Sequence, residues 1–212
     1  MNTEDSCYLC GSNIELLHSL PKSNNEPFKI VRCKNCGLQR LSPLPDKLTI
    51  EHIYTQNTSE KYLEFEVFSS RYLTLLKRLL IIEPLLKRLK KLQGGGGKPS
   101  LLDIGCSTGW ITSVARNLEF DVTGLEVNSH FAQFGREKYN LNIIESYVEE
   151  FCSDEKYNFI SMFHVLEHIP DPIQVLNKIR ALLYYGGNLL IVVPDSKSLG
   201  VSIYKEHYNW YN

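Results

Sequence analysis

The sequence predicts an α/β fold: a doubly wound, mostly parallel sheet wrapped by helices, preceded by a small cysteine-rich unit and a helical linker. Three observations carry this. From Ser100 onward, short apolar runs alternate with helical stretches. A glycine loop, Gly105-Cys106-Ser107-Thr108-Gly109, follows the first of those runs. Four of the six cysteines fall before residue 37, as two Cys-x-x-Cys pairs.

Composition separates three segments. Residues 1–45 hold the paired cysteines, with turn formers Ser23-Asn24-Asn25-Glu26-Pro27 between the pairs and Ser42-Pro43-Leu44-Pro45-Asp46 after them. Residues 46–97 form the linker, with apolar positions at helical spacing through Leu63, Val67, Leu73, Leu76 and Leu80. Pro84 lacks an amide proton and crowds the preceding turn, so two helices are expected, at 60–82 and 84–93, ended by Gly94–Gly97. Residues 98–212 carry the sheet. Leu101–Ile104 is its first strand, Gly109–Leu118 a helix and Phe120–Glu126 the second strand. Asn128 caps a helix running to Tyr139; Asn142–Glu145 and Asn158–Phe163 are strands three and four. Asp171-Pro172 opens another helix as N-cap and first-turn proline, Gly186-Gly187 ends it, and Asn188–Val193 is strand five.

Charge and hydropathy exclude several classes. The chain has 212 residues, 43% hydrophobic, and a net charge of −1, so no global basic field points to nucleic acid. Lys77, Arg78, Lys87, Arg88, Lys90, Lys91 and Lys98 make one basic stretch, which reads as a solvated helix face. The longest uncharged apolar run in it, Leu79–Ile82, is far too short to span a bilayer. The N-terminus has neither a basic start nor an apolar stretch, so it is no secretory signal and a cytoplasmic location is expected.

In a reducing compartment, paired cysteines favour metal over disulfides. Cys7-Tyr8-Leu9-Cys10-Gly11 and Cys33-Lys34-Asn35-Cys36-Gly37 are separated by 22 residues and can close a tetrahedral thiolate site around Zn2+. Each pair is followed by glycine, which permits the tight turn that aims backbone amides at the sulfurs. Four ligands leave no open position, so the metal is expected to be structural. Cys106 and Cys152 read as packing residues rather than ligands.

The glycine loop sits where strand order reverses, beyond the carboxyl ends of the strands. Glycines let a ligand approach the backbone closely, and Glu126, closing the second strand, can accept both hydroxyls of a ribose. A dinucleotide reading needs glycine where this sequence has Ser107 and Trp110. A pyrophosphate must approach that backbone, and Trp110 crowds the helix packing. Asp103 suits instead a cofactor with a positive amino group and a sulfonium, and S-adenosylmethionine carries no phosphate.

Four stretches, in order and in register, carry a family resemblance: Leu102-Asp103-Ile104-Gly105-Cys106-Ser107-Thr108-Gly109, Gly124-Leu125-Glu126-Val127, Phe163-His164-Val165-Leu166-Glu167-His168-Ile169-Pro170-Asp171-Pro172, and Gly186 through Pro194. They closely resemble class I S-adenosylmethionine-dependent methyltransferases. The resemblance implies a Rossmann-like sheet and a cofactor shell of Asp103, Gly105, Cys106, Ser107, Gly109, Glu126, Val127, Tyr147, Val148, His164 and Val165. The methionine end would lie at the loop, the ribose at Glu126, and the adenine near Tyr147, Val148 and Glu149. The sequence departs from the family at Ser107, usually glycine, at Tyr157-Asn158, usually Phe-Asp, and at Tyr185, usually proline. Cys-Gly-Leu followed by Ser-Pro-x-Pro resembles a bacterial subgroup with an N-terminal zinc ribbon, many of whose members resemble enzymes methylating sugars or other small metabolites.

His164-x-x-Glu167-His168 also matches the inverted zinc-protease signature. That chemistry needs both histidines one turn apart on a helix, and five residues between a strand and Pro170 cannot supply one. Glu167 and His168 are instead the candidate general bases, with His207 a third, should the acceptor need deprotonation. The expected partner is a small-molecule acceptor, with neither nucleic acid nor membrane. Two other functions stay open: an RNA methyltransferase using the ribbon, and a non-catalytic ribbon module with a vestigial cofactor domain. The sequence reaches Asn212 soon after strand five, whereas the family adds a helix and two strands. A truncated sheet with an open edge prone to self-association is therefore expected.

Overall fold

The computed structural model of the chain describes residues 6–19, 29–44, 78–94 and 97–193. They divide into two compact units. The smaller holds the described residues up to 44 together with Leu166–Pro170 and Val193; the larger holds 78–94, 97–165 and Asp171–Val192.

In the smaller unit, β1 (Ile14–Ser19), β2 (Lys29–Cys33) and β3 (Gln39–Ser42) form an antiparallel sheet in sequence order. Ile30 lies opposite Leu41 and Val31 opposite Arg40. Neighbouring residues of a strand face opposite ways, and all four are buried, so both faces of the sheet are covered.

The larger unit opens with a π-helical turn, Arg78–Ile82, that runs into α1 (Glu83–Leu92). There follow β4 (Ser100–Ile104), α2 (Trp110–Asn117), β5 (Asp121–Glu126), α3 (Ser129–Tyr139), β6 (Ile143–Glu145), β7 (Tyr157–Phe163), α4 (Pro172–Leu182) and β8 (Leu183–Val192). The five strands are parallel in the order β6-β5-β4-β7-β8. Right-handed crossovers that step one way from β4 and the other way from β7 put α2 and α3 on one face and α4 on the opposite one. Burial agrees with this. Leu86, Val114, Ala115 and Ala132, from α1, α2 and α3, share a core with Leu101 and Phe159. Leu102 and Ile160, facing the other way, are as deeply buried, as are Val175 and Ile179 of α4. The doubly wound sheet expected from the sequence is present, with its switch point between β4 and β7.

The caps follow the sequence. Asn128 Oδ1 accepts the amides of His130 and Phe131 at 3.0 and 3.2 Å, and Asp171 Oδ1 accepts that of Gln174 at 3.0 Å. Two expectations need correction. Pro84 does not split two helices within the described residues: Ile82 stays helical, and the backbone changes from a π turn to α1 with the proline in its first turn. The wider turn gives the proline ring the clearance it needs from the preceding carbonyls. The rest of the expected 60–82 helix lies outside the described residues. Second, α4 stops at Leu182 rather than at Gly186-Gly187. Leu183 is already extended and pairs with Tyr157, and Tyr184 and Tyr185 continue the extended backbone. At Gly187 an added Cβ would lie 3.0 Å from the Tyr184 carbonyl oxygen and 3.1 Å from that of Asn158, so this glycine serves a crowded strand irregularity instead of a helix end.

Candidate functional site

The loop between β4 and α2 is fixed at both glycines by conformation and by crowding. Gly105 has φ +68° and a Cβ there would overlap Val165 Cγ2; Gly109 has φ +77° and a Cβ would lie 2.6 Å from Leu141 Cδ1. Ser107 adopts φ +51°, the left-handed region that explains why the family favours glycine at this position. The Gly105 and Cys106 amides both donate to the Leu125 carbonyl, at 2.7 and 3.0 Å, which ties the loop to the end of β5. Cys106 packs beneath it: a Cβ on Gly124 would lie 2.6 Å from its Sγ. Burial first, then the charges of Asp103 and Glu126, push its thiol far above the ordinary range. The Cys106 side chain thus packs beneath the loop.

Glu126 is buried at the end of β5, and its two oxygens are spoken for on different sides. Oε2 accepts the Ser107 amide and Oε1 the Asn128 amide, each at 2.8 Å. One carboxylate therefore joins the loop to the start of α3. Two amides take up half of a carboxylate's acceptor capacity. The arrangement fixes the carboxylate between the loop and the start of α3, with Val127 half-buried beside it.

Asp103 lies under the loop, 2% exposed, and accepts the hydroxyls of Thr112 and Ser161, both at 2.7 Å. Burial raises its pKa, and those two hydrogen bonds oppose the rise. It braces α2 against β7. Nothing in the sequence distinguished Thr112 or Ser161; they emerge only from the register that sets Ser161 beside Asp103. Beyond β7, His164 is exposed with φ +55° and donates its amide to Val192 O at 2.8 Å. That turn delivers Val165 against Gly105. Past β6, Tyr147 is half-buried and Val148 buried. The larger unit thus brings together Asp103, Gly105, Ser107, Gly109, Glu126 and Val165 around one loop.

Glu167 and His168 group with the smaller unit, on the single 3-10 turn Leu166–His168, Glu167 buried and His168 half-buried. With His164 on left-handed backbone and one short turn after it, the two histidines share no helix, so the protease geometry is absent from this segment. His207 lies outside the described residues.

The four paired cysteines converge. Their sulfurs all lie within 4.8 Å of one another, with Cys7–Cys36 at 3.6 Å and Cys10–Cys33 at 3.5 Å. Tetrahedral zinc with Zn–S bonds of ~2.3 Å spaces its sulfurs about 3.8 Å apart, so the set is compatible with zinc. Each pair closes on a left-handed glycine: Gly11 (φ +70°) donates to Cys7 O at 2.7 Å and Gly37 (φ +78°) to Cys33 O at 3.1 Å. The Asn35 and Cys36 amides both point at Cys33 Sγ, at 3.4 Å. Hydrogen bonds from Ser12 draw the Cys10 thiol down to about 6, and the Cys36 amide lowers Cys33. Cys36 is pushed up to about 12: the Leu38 amide lowers it, but burial and the neighbouring sulfurs outweigh that. Four sulfurs this close can all ionise only with a cation among them.

A family model described as a methyltransferase domain matches residues 50–211. The ubiquinone biosynthesis O-methyltransferase of Vibrio vulnificus is 30% identical over 148 residues, covering 64% of this chain and 63% of that protein. The protein of the same name from Actinobacillus pleuropneumoniae is 29% identical over 111 residues, 47% of each. The chain thus spans about half to three-fifths of the length of these curated relatives. Among solved structures, the plantazolicin methyltransferase BpumL superposes with a TM-score of 0.56 at 17% identity, over 74% of this chain and 66% of that one. The sugar N-methyltransferase KedS8 from Streptoalloteichus gives 0.54 at 15%, over 66% and 55%. At such identities the likeness shows the fold, while the family match covers most of the chain, including the loop, Glu126 and the whole parallel sheet. The chain belongs to the methyltransferase-domain family, with the class I fold of S-adenosylmethionine-dependent enzymes.

Proposed function

We propose that this protein transfers the methyl group of S-adenosylmethionine to a small-molecule acceptor, a sugar or related metabolite, and that its cysteine cluster holds a structural Zn2+. The observation that carries the reading is Glu126, buried at the end of β5 and bonded to both the Ser107 and Asn128 amides. It offers a preorganised carboxylate beside a glycine loop that no side chain can fill. Gly105 and Gly109 let the loop turn left-handed and close against Val165 and Leu141, Glu126 would take the ribose, and Tyr147 and Val148 would flank the adenine. The relatives support a small acceptor: those in ubiquinone biosynthesis are O-methyltransferases, and KedS8 is a sugar N-methyltransferase.

When bound, S-adenosylmethionine supplies an electrophilic methyl on a sulfonium. The leaving thioether needs no proton, so the chain's task is to hold the reactants in line and exclude water. The four cysteines are all ligands of one closed set, which suits a structural ion rather than a catalytic one. The test is turnover. Full-length, zinc-loaded protein is incubated with S-adenosylmethionine and a panel of catechols, sugars and aminosugars, and S-adenosylhomocysteine is quantified. Acceptor-dependent product is expected; no product with any acceptor, together with no cofactor binding, would remove the reading.

A further inference from the structure

The basic stretch that includes α1 reads from the sequence as a solvated helix face, and in the structure that face carries more than charge. One side of the helix is turned to the core, where Ile82 and Leu86 are buried and Leu89 packs against the same cluster. On the other side Leu80, Pro84, Arg88 and Leu92 follow one another at intervals of four, with Lys87 and Lys91 beside them, and all six are exposed. Residues four apart are neighbours on a helix surface, so these six form one continuous strip. Its ends are apolar. Leu80 and Ile81, in the π-helical turn, are 71% and 57% exposed, and Leu92, in the last turn of α1, is 68% exposed.

The charge of the strip is one-signed. Lys87 Nζ lies 3.3 Å from Glu83 Oε2, and the neighbouring Lys90 is held by Glu119 Oε2 and the Leu118 carbonyl, both at 2.8 Å. Arg88 and Lys91 have no ion pair among the described residues, in a chain whose net charge is −1. Solvation accounts for Arg88 and Lys91. It does not account for three large aliphatic side chains left in water on the same strip, a combination that marks an interaction site where scattered single leucines would not. Cations flanked by aliphatic side chains complement a surface that is anionic outside and hydrocarbon beneath. A nucleic acid would satisfy the cations alone: the strip has no aromatic ring on which a base could stack.

We propose that the outward face of α1 docks on an anionic lipid membrane, with Arg88 and Lys91 at the headgroup phosphates and Leu80, Ile81 and Leu92 entering the boundary with the acyl chains. The buried side of the helix stays with the core, so the α/β unit lies against the membrane and does not enter it. Contact of this kind needs no spanning helix, and none of the described helices is long and apolar enough to be one. It replaces the expectation of a chain without a membrane partner. A few cations and a few aliphatic side chains give reversible binding that depends on anionic lipid and weakens with salt. The strip shares no residue with the Gly105–Gly109 loop or Glu126, so the docking does not rest on the proposed methyl transfer.

The experiment uses the full, zinc-loaded chain with neither cofactor nor acceptor. It is sedimented with vesicles of phosphatidylcholine alone and with vesicles of equal parts phosphatidylcholine and phosphatidylglycerol. Binding is expected to the anionic vesicles, falling as salt is raised. Arg88→Gln with Lys91→Gln should weaken it by about 30-fold, the loss of two surface cations. Leu80→Ser with Leu92→Ser should weaken it at least about tenfold, and what binding remains should keep its salt dependence. All four positions are exposed, so both double variants should unfold in urea as the unsubstituted chain does. No binding to the anionic vesicles, equal binding to the neutral ones, or an affinity unaltered in either double variant would overturn the proposal. So would binding to a single-stranded RNA oligonucleotide in place of the vesicles, lost with the charges and kept without the leucines.

Discussion

The cofactor loop and the cysteine knuckles both turn on left-handed glycines, yet the glycines are there for different reasons. At Gly105 and Gly109 an added Cβ meets Val165 and Leu141, whereas at Gly11 and Gly37 it meets nothing within 4 Å. The knuckles need glycine for its backbone angle alone; the loop needs the angle and the missing atom as well. If the sulfurs hold a zinc ion as proposed, the ribbon's stability is expected to rest on them, whereas that of the loop rests on packing. Substitutions at the two places should therefore differ in size and in kind.

The largest effect is expected at the sulfurs. Structural zinc sites contribute about 10–16 kcal/mol of apparent binding energy, which for a small unit is folding energy. Cys33→Ser, or removal of zinc by a chelator, should unfold β1–β3 while the five-stranded sheet persists, as monitored by amide exchange. Retained protection in β2 after metal removal would show that packing holds the ribbon after all. Next comes Gly105→Ala. Overpacking against Val165 and left-handed strain together should destabilise the larger unit by about 2–4 kcal/mol in urea titrations. Gly37→Ala, with strain alone, should cost about 1 kcal/mol in the metal-loaded protein. Equal penalties at the two sites would erase the contrast.

The smallest effect is a pH dependence. Burial raises the Asp103 pKa above its ordinary 3.8, so the folded state holds that proton more tightly than the unfolded chain. The stabilisation is complete below the unfolded value and is lost as pH rises through the folded one. Asp103→Asn should flatten stability against pH above about pH 4. A slope identical to that of the unsubstituted protein would remove Asp103 as its source.

Much of this was readable from the sequence because it depends on local chemistry. The alternation of strands and helices, the caps at Asn128 and Asp171 and the pairing of the cysteines are short-range patterns, and each is present in the structure. What the sequence concealed depends on register. Thr112 and Ser161 are ordinary hydroxyls until β4 and β7 align them on Asp103. Leu141 and Val165 are ordinary apolar residues until the sheet sets them against Gly109 and Gly105. The end of α4 was misplaced because Gly186-Gly187 has a helix-stop composition, while the pairing of Leu183 with Tyr157 decides the matter over a longer range. Glu126 was found for its position at a strand end; that it bridges two backbone amides came only with the folded loop.

The central claim, that the Gly105–Gly109 loop and Glu126 form a cofactor site, is tested most directly by isothermal calorimetry of the zinc-loaded chain with S-adenosylmethionine. One site per chain is expected. Glu126→Gln should weaken binding by about 10–100-fold, as loss of a charge-assisted hydrogen bond worth ~1.5–3 kcal/mol implies. No binding by the folded chain, or an affinity unchanged in both Glu126→Gln and Gly105→Ala, would contradict it.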